Sequence, residues 1–142
     1  MSNLVLEIKQ GEMMVVNGAA IRFRTKTRIE LASRARFLFG KQLMSQPDVT
    51  TPTRQIYYAL QTAYVGSEAE RGPALEKARR LINDSIDATG SPSLRLVLER
   101  VIEAAESDEC YAGLKLARRL VRHEDALERG QIIPESDLTE GL

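Results

Sequence analysis

Apolar and polar positions alternate in short runs through the first third of the chain and recur every three or four positions from Pro52 onward. "LVLEI" (4–8), "MMVV" (13–16) and "AAIRFR" (19–24) read as strands. "QGE" (10–12) marks a turn between the first two. Asn17-Gly18 marks another, because both central residues of a type I′ turn need positive φ. "AAIRFR" is expected to pair back on residues 11–16. "TKTRIEL" (25–31) either extends that strand or forms a fourth after a tight bend. From 21 to 31 the odd positions are Ile21, Phe23, Thr25, Thr27, Ile29 and Leu31, and Arg22, Arg24, Lys26 and Arg28 fall between them. Period-2 alternation predicts a half-buried sheet with one cationic face, and a bend near Thr25–Lys26 would split the cations into two pairs. "ASRARFLFGKQLM" (32–44) sets Ala35, Leu38, Phe39 and Met44 near helical spacing, which reads as a short helix or an irregular connector.

The second part is punctuated as helices. Thr51 caps one, with Pro52 at its first position and Gly66 near its end. "PALEKARRLINDSIDA" (73–88) predicts a second, followed by Gly90 at the C′ position. Ser91-Pro92 starts a third, with Leu94, Val97, Leu98, Val101, Ile102 and Ala105 on one stripe. Ser107 or Asp108 is expected to cap a fourth, which Gly130 ends. Short connections favour antiparallel neighbours. The chain is thus expected to be α+β: an N-terminal antiparallel β-sheet of three to four short strands (1–45), a C-terminal antiparallel helical bundle (46–130) and an acidic, poorly ordered tail (131–142).

Composition changes this picture in one respect. Net charge is zero, which by itself argues against a dedicated nucleic-acid binder. Its distribution is uneven: residues 1–44 hold eight Lys or Arg against three acids, a net +5 that the remainder balances. One cysteine, no signal-like apolar core and no long uncharged apolar stretch suit a cytoplasmic protein without a membrane span.

Catalytic chemistry is hard to find. His123 is the only histidine and sits in a charged helical stretch, where a solvated or ion-paired role is the ordinary reading. Cys110 stands at a helix start, which can lower a thiol pKa, though a small buried residue is the commoner outcome. One Cys and one His make a zinc site of these ligands improbable, and neither standard phosphate loop occurs. Glu76/Arg80 and Asp125/Arg129 have the spacing of helix-surface pairs. Arg118, Arg119 and Arg122, diluted by Glu124, Asp125 and Glu128, read as a solvated face. Tyr57, Tyr58 and Tyr64 share one helix; packing between helix and sheet is the ordinary reading, base stacking or a partner anchor the functional one. No cofactor or metal is implied, and a binding or regulatory protein is a better class than an enzyme.

"LVLEIKQGEMMVVNGAAI" (4–21), "SRARFLFGKQLM" (33–44), "TTPTRQIYYALQTAYV" (50–65) and "LKLARRLVRHED" (114–125), in that order, resemble the FlbT family of flagellum-biosynthesis regulators. The resemblance implies a post-transcriptional regulator of flagellin that associates with the 5′ untranslated region of flagellin messenger RNA and promotes its decay or supports its translation. It also implies a FlaF-type protein partner, with flagellin itself as a further one, and no catalytic residues. Where the family commonly carries Asn-Gly-Asp-Arg-Arg, this chain reads "RFRTKTRIEL", with Lys26 and Arg28 nearest to the paired bases. The opening strands also faintly resemble the hairpin of the carbon storage regulator, an RNA-binding β protein. Arg22, Arg24, Lys26 and Arg28 are the expected RNA contacts, supported by Arg34 and Arg36. Tyr57, Tyr58 and Tyr64 are the expected partner contacts. The alternative is a protein-interaction module for flagellin or the FlaF-type partner that acts on messenger RNA only indirectly. Open sheet edges would also allow a homodimer.

Overall fold

The two glycine-bearing turns of the N-terminal segment fall where the chain must reverse. Gly11 has φ 85°, and Asn17 and Gly18 have φ 49° and 85°, the pair of positive values that a type I′ turn demands. The computed structural model describes residues 4–33 and 35–142. It contains, among these, five strands: β1 (Leu4–Ile8), β2 (Met13–Val16), β3 (Ala19–Arg22), β4 (Thr27–Leu31) and β5 (Phe37–Phe39). They form two small antiparallel sheets, β1 with β4 and β3-β2-β5. Met13 to Val16 register against Arg22 to Ala19, and Phe23 extends the pairing by exchanging backbone hydrogen bonds with Gly11 and Glu12.

Of the two alternatives for 25–31, the fourth strand after a bend is the one that forms. The break at 23–26 sends β3 and β4 into different sheets. β4 keeps its alternation, with Thr27, Ile29 and Leu31 half-buried and Arg28 and Glu30 exposed. β3 has no buried face, and Ile21 is 42% exposed. Residues 37–39, expected in a helix or connector, are strand β5, because Phe37, Leu38 and Phe39 pair with Val16, Val15 and Met14. A partner strand overrides the helical spacing of a run too short to nucleate a helix alone.

Four helices follow: α1 (Pro52–Val65), α2 (Glu68–Ala88), α3 (Pro92–Glu106) and α4 (Cys110–Glu128). Each packs on its sequence neighbour, and α1 closes on α4 to complete an antiparallel bundle. Thr51 and Ser91 cap α1 and α3 as expected, accepting from Arg54 N and Leu94 N at 3.2 Å. α2 starts five residues before Pro73, because Ser67 and Glu70 form a capping box that carries the helix through the proline. Its C-cap is Thr89, and Gly90 does not take the left-handed C′ conformation. Glu109, not Ser107 or Asp108, is the N-cap of α4. At the far end Gly130 (φ 78°) donates to Leu127 O and Gln131 to Ala126 O, a Schellman closure. Glu76 pairs with Arg79 and Asp125 with Arg54, in place of the i, i+4 pairs that spacing suggested.

Leu38, Ile56, Leu60, Ile82, Val97, Leu98 and Val101 are fully buried in the core, which lies between the helices and the inner side of the β3-β2-β5 sheet. The tail expected to be poorly ordered contributes to it. Its 3-10 turn, Glu135–Thr139, lies against α3 and places Leu138, 3% exposed, in the core cluster. Arg119 holds the turn by donating to Leu138 O and Glu140 O.

The α2 capping box gives an acid-sensitive contact. The Ser67 N–H donates to Glu70 Oε1 at 2.9 Å and, with the Ser67 side chain, holds the Glu70 carboxyl below its usual range. A depressed folded-state pKa stabilises above the unfolded value and is lost as pH falls through the folded one. The first turn of α2 should therefore fray on acidification below the ordinary carboxylate range. Amide exchange at Ser67 reads this directly, and Glu70→Gln should remove its pH dependence.

Candidate functional site

Strand β5 is the starting point, because its period-2 geometry sends neighbours to opposite sides. Leu38 is fully buried in the helical core. Phe37 and Phe39 face the other way, with ring centroids 6.4 Å apart and planes 25° apart. They line a pocket of about 380 Å³ together with Leu4, Leu6, Gln42, Tyr64 and Tyr111. Antiparallel packing brings the end of α1 beside the start of α4, so the Tyr64 and Tyr111 rings lie 5.4 Å apart at a 39° tilt. A cation stands over each: Arg36 Cζ is 5.8 Å from the Tyr64 centroid, and Lys115 Nζ is 5.8 Å from that of Tyr111. Asp108 shares Arg36 at 3.5 Å. Burial, with Tyr111 beside it, pushes the Tyr64 hydroxyl up despite Arg36, so Tyr64 stays neutral at physiological pH.

The segment after β5 is bolted to the bundle. The Gln61 side chain accepts from Met44 N at 2.8 Å and donates to Met44 O at 3.1 Å. Tyr57 Oη donates to Gln42 O, and Arg118 donates to Lys41 O at 3.1 Å. The aromatic pocket lies beside this segment. So does an open cleft lined by Lys41, Arg54, Arg118 and Arg122.

The expected RNA contacts are divided between the two sheets, the break that joins them and the aromatic pocket. Arg22 is on the β3 edge, where it also donates to Gly11 O at 3.2 Å. Arg24 and Lys26 are exposed in the break between sheets. Arg28, on β4, meets Glu7 at 3.3 Å. Arg34 lies outside the described residues, and Arg36 is at the aromatic pocket. The tyrosines separate as well. Tyr57 is 3% exposed, with its hydroxyl pushed up by burial, so it is a packing residue; Tyr58 is half-buried on α1, and Tyr64 lines the pocket. Cys110 is buried, and desolvation raises its thiol pKa, the reverse of activation. His123 Nε2 is buried without a hydrogen-bond partner among the described residues, neither solvated there nor ion-paired. Sequence reasoning missed Tyr111 and Lys115. Their i, i+4 spacing at the start of α4 was the available signal, but their meeting with Tyr64 depends on the helix pairing.

No group of three or more metal-ligating side chains occurs among the described residues, and no helix is long and apolar enough to cross a membrane. The family model described as "Flagellar protein FlbT" matches residues 4–127. The chain is similar to the probable flagellum biosynthesis repressor protein FlbT of Chelativorans sp. (strain BNC1), 32% identical over 82 residues, which are 58% of this chain and 53% of that protein. It is 25% identical over 133 residues to the protein of the same name from Rhizobium etli, covering 94% of this chain and 89% of the relative. To the flagellum biosynthesis repressor protein FlbT of Caulobacter vibrioides it is 29% identical over 123 residues, 86% of each chain. No solved structure matches.

Proposed function

This chain belongs to the family of the flagellar protein FlbT, and we propose that it regulates flagellin expression after transcription by binding the 5′ untranslated region of flagellin messenger RNA. Bound there, it promotes degradation of the message or tunes its translation. Relatives over most of the chain are named repressors of flagellum biosynthesis, which supports a regulatory role in flagellar gene expression. The observation that carries the RNA reading is the pocket where two tyrosines and two phenylalanines stand beside Arg36 and Lys115. Unpaired bases stack on such rings whatever their identity, and nearby cations take the phosphates. Arg22, Arg24 and Lys26 are exposed and free of carboxylates among the described residues, and provide further phosphate contacts. The Arg28–Glu7 pair is mostly solvent-exposed and weak, so Arg28 is available too.

A second reading has its own observation. Leu4 and Val5 on β1 are 49% and 48% exposed, and Ile21 of β3 is exposed as well. These apolar groups near open edges suit a protein partner of the FlaF type, flagellin or a second copy, with indirect effects on the message.

Direct binding of the purified protein to flagellin leader RNA, with and without the FlaF-type protein, separates the two. With about four phosphate contacts, affinity should fall about 50-fold between 50 and 200 mM salt. A stable protein complex without RNA, together with no saturable RNA binding at micromolar protein, would leave only the second reading standing.

A further inference from the structure

The cleft on the other end of the α1/α4 pair has a charge balance that the fold does not use. It spans about 390 Å³ and is lined by Lys41, Arg54, Arg118 and Arg122 and by two acids, Asp48 and Asp125, while Glu124 and Glu128 also act on Arg54. Both lining acids are committed. Asp125 takes Arg54, and Asp48 accepts from Ser45 Oγ at 2.7 Å. Nearby Glu124 accepts from Thr51 Oγ1 at 2.6 Å. Lys41, Arg118 and Arg122 are left with no carboxylate partner among the described residues.

Two of the four cations are also held in place. Arg118 is fixed by Lys41 O, and Arg54 by Asp125 and by Asp48 O at 3.2 Å. The Arg54 Nε–H is buried and has no acceptor among the described residues.

We infer that this cleft binds a dianionic phosphate group, a phosphate monoester. Guanidinium forks match the several oxygens of a phosphate, and a monoester carries about −1.5 to −2 at pH 7, a charge for the unpaired Lys41, Arg118 and Arg122 to meet. A carboxylate or a single backbone phosphodiester supplies half of that. The charge and donor accounting rests on the cleft alone and does not require the stacking pocket to bind RNA. Such a group could come from a free small phosphate or from the 5′-phosphorylated end of an RNA.

Both sources are tested on the full chain by nitrogen-15 NMR, following the backbone amides of Lys41, Gln42 and Leu43 and the Arg54 Nε–H. Three probes are titrated at constant ionic strength: inorganic phosphate, a 5′-phosphorylated single-stranded oligoribonucleotide and its 5′-hydroxyl twin. Saturable shifts with inorganic phosphate identify a free ligand, and shifts with the 5′-phosphorylated oligonucleotide alone identify an RNA end. Either result supports the inference if Lys41→Gln and Arg122→Gln each weaken the response at least 5-fold. Those two side chains are exposed and hold no ion pair or hydrogen bond among the described residues, so both variants should keep the wild-type melting temperature. No saturable cleft response to any probe, cleft shifts of equal size with the two oligonucleotides and none with inorganic phosphate, or a response that either substitution leaves untouched overturns the inference. Oligonucleotide binding that leaves the cleft silent overturns the cleft and spares the RNA reading. Inorganic phosphate in the cleft without oligonucleotide binding does the reverse.

Discussion

Gly18→Ala should destabilise the protein by about 3 kcal/mol and lower its melting temperature by on the order of 10 °C. Two effects add. The φ of 85° places an L side chain in a strained region. A Cβ at this position would also sit 2.8 Å from Ser67 N and 2.9 Å from Ser67 Cα, backbone atoms that cannot swing aside. The Gly18 N–H donates to Val65 O, which docks the hairpin tip on the junction of α1 and α2. The consequence reaches the pocket, because β2, one arm of that hairpin, is the strand that holds β5 with Phe37 and Phe39. Gly90→Ala is the matched control. A Cβ there has no neighbour within 4 Å, and the backbone is outside the left-handed region. It should be neutral or stabilise by about 0.4–1 kcal/mol through the unfolded chain. Thermal denaturation of both variants decides the matter: equal melting temperatures would mean that hairpin docking adds nothing to stability.

The parts of this fold legible in the sequence are those set by local chemistry. Asn17-Gly18, Thr51-Pro52 and Ser91-Pro92 act within a few residues, and each stands where its turn or cap geometry requires. The parts that were not legible depend on partners distant in sequence. Strand β5 exists because β2 offers it an edge, which no periodicity within 32–44 could reveal. Pro73 is a local exception: it reads as a helix start, yet the Ser67/Glu70 box three to six residues earlier carries α2 through it. Most consequential is the basic row at 22–28. A bend that splits it is one of the two readings its alternation allows, but that its ends enter different sheets depends on β1 and β2 as partners. Cations meet aromatic rings instead where β5, α1 and α4 converge, a juxtaposition of Arg36, Tyr64 and Tyr111 across 75 residues of sequence.

That convergence predicts a loss of RNA affinity distinguishable from a loss of charge. The double variant Tyr64→Leu/Tyr111→Leu should bind single-stranded flagellin leader RNA about 10- to 100-fold more weakly, since stacking contributes about 1–3 kcal/mol per base and 1.4 kcal/mol is tenfold. Leucine keeps the apolar bulk against Phe37 and Phe39 and removes the flat face. Tyr111 is 40% exposed, so Tyr111→Leu alone should leave the melting temperature nearly unchanged while still weakening binding several-fold. Stacking releases no counterions, so the slope of log affinity against log salt should not move in the tyrosine variants. Arg36→Gln should do the opposite, with a modest loss of affinity and a slope shallower by about 0.7, the loss of one phosphate contact on a single strand. Affinity measured at four salt concentrations for wild type and these variants separates the two roles. Wild-type affinity in the double variant would remove the pocket from the RNA surface and return the cations of the N-terminal strands to first place.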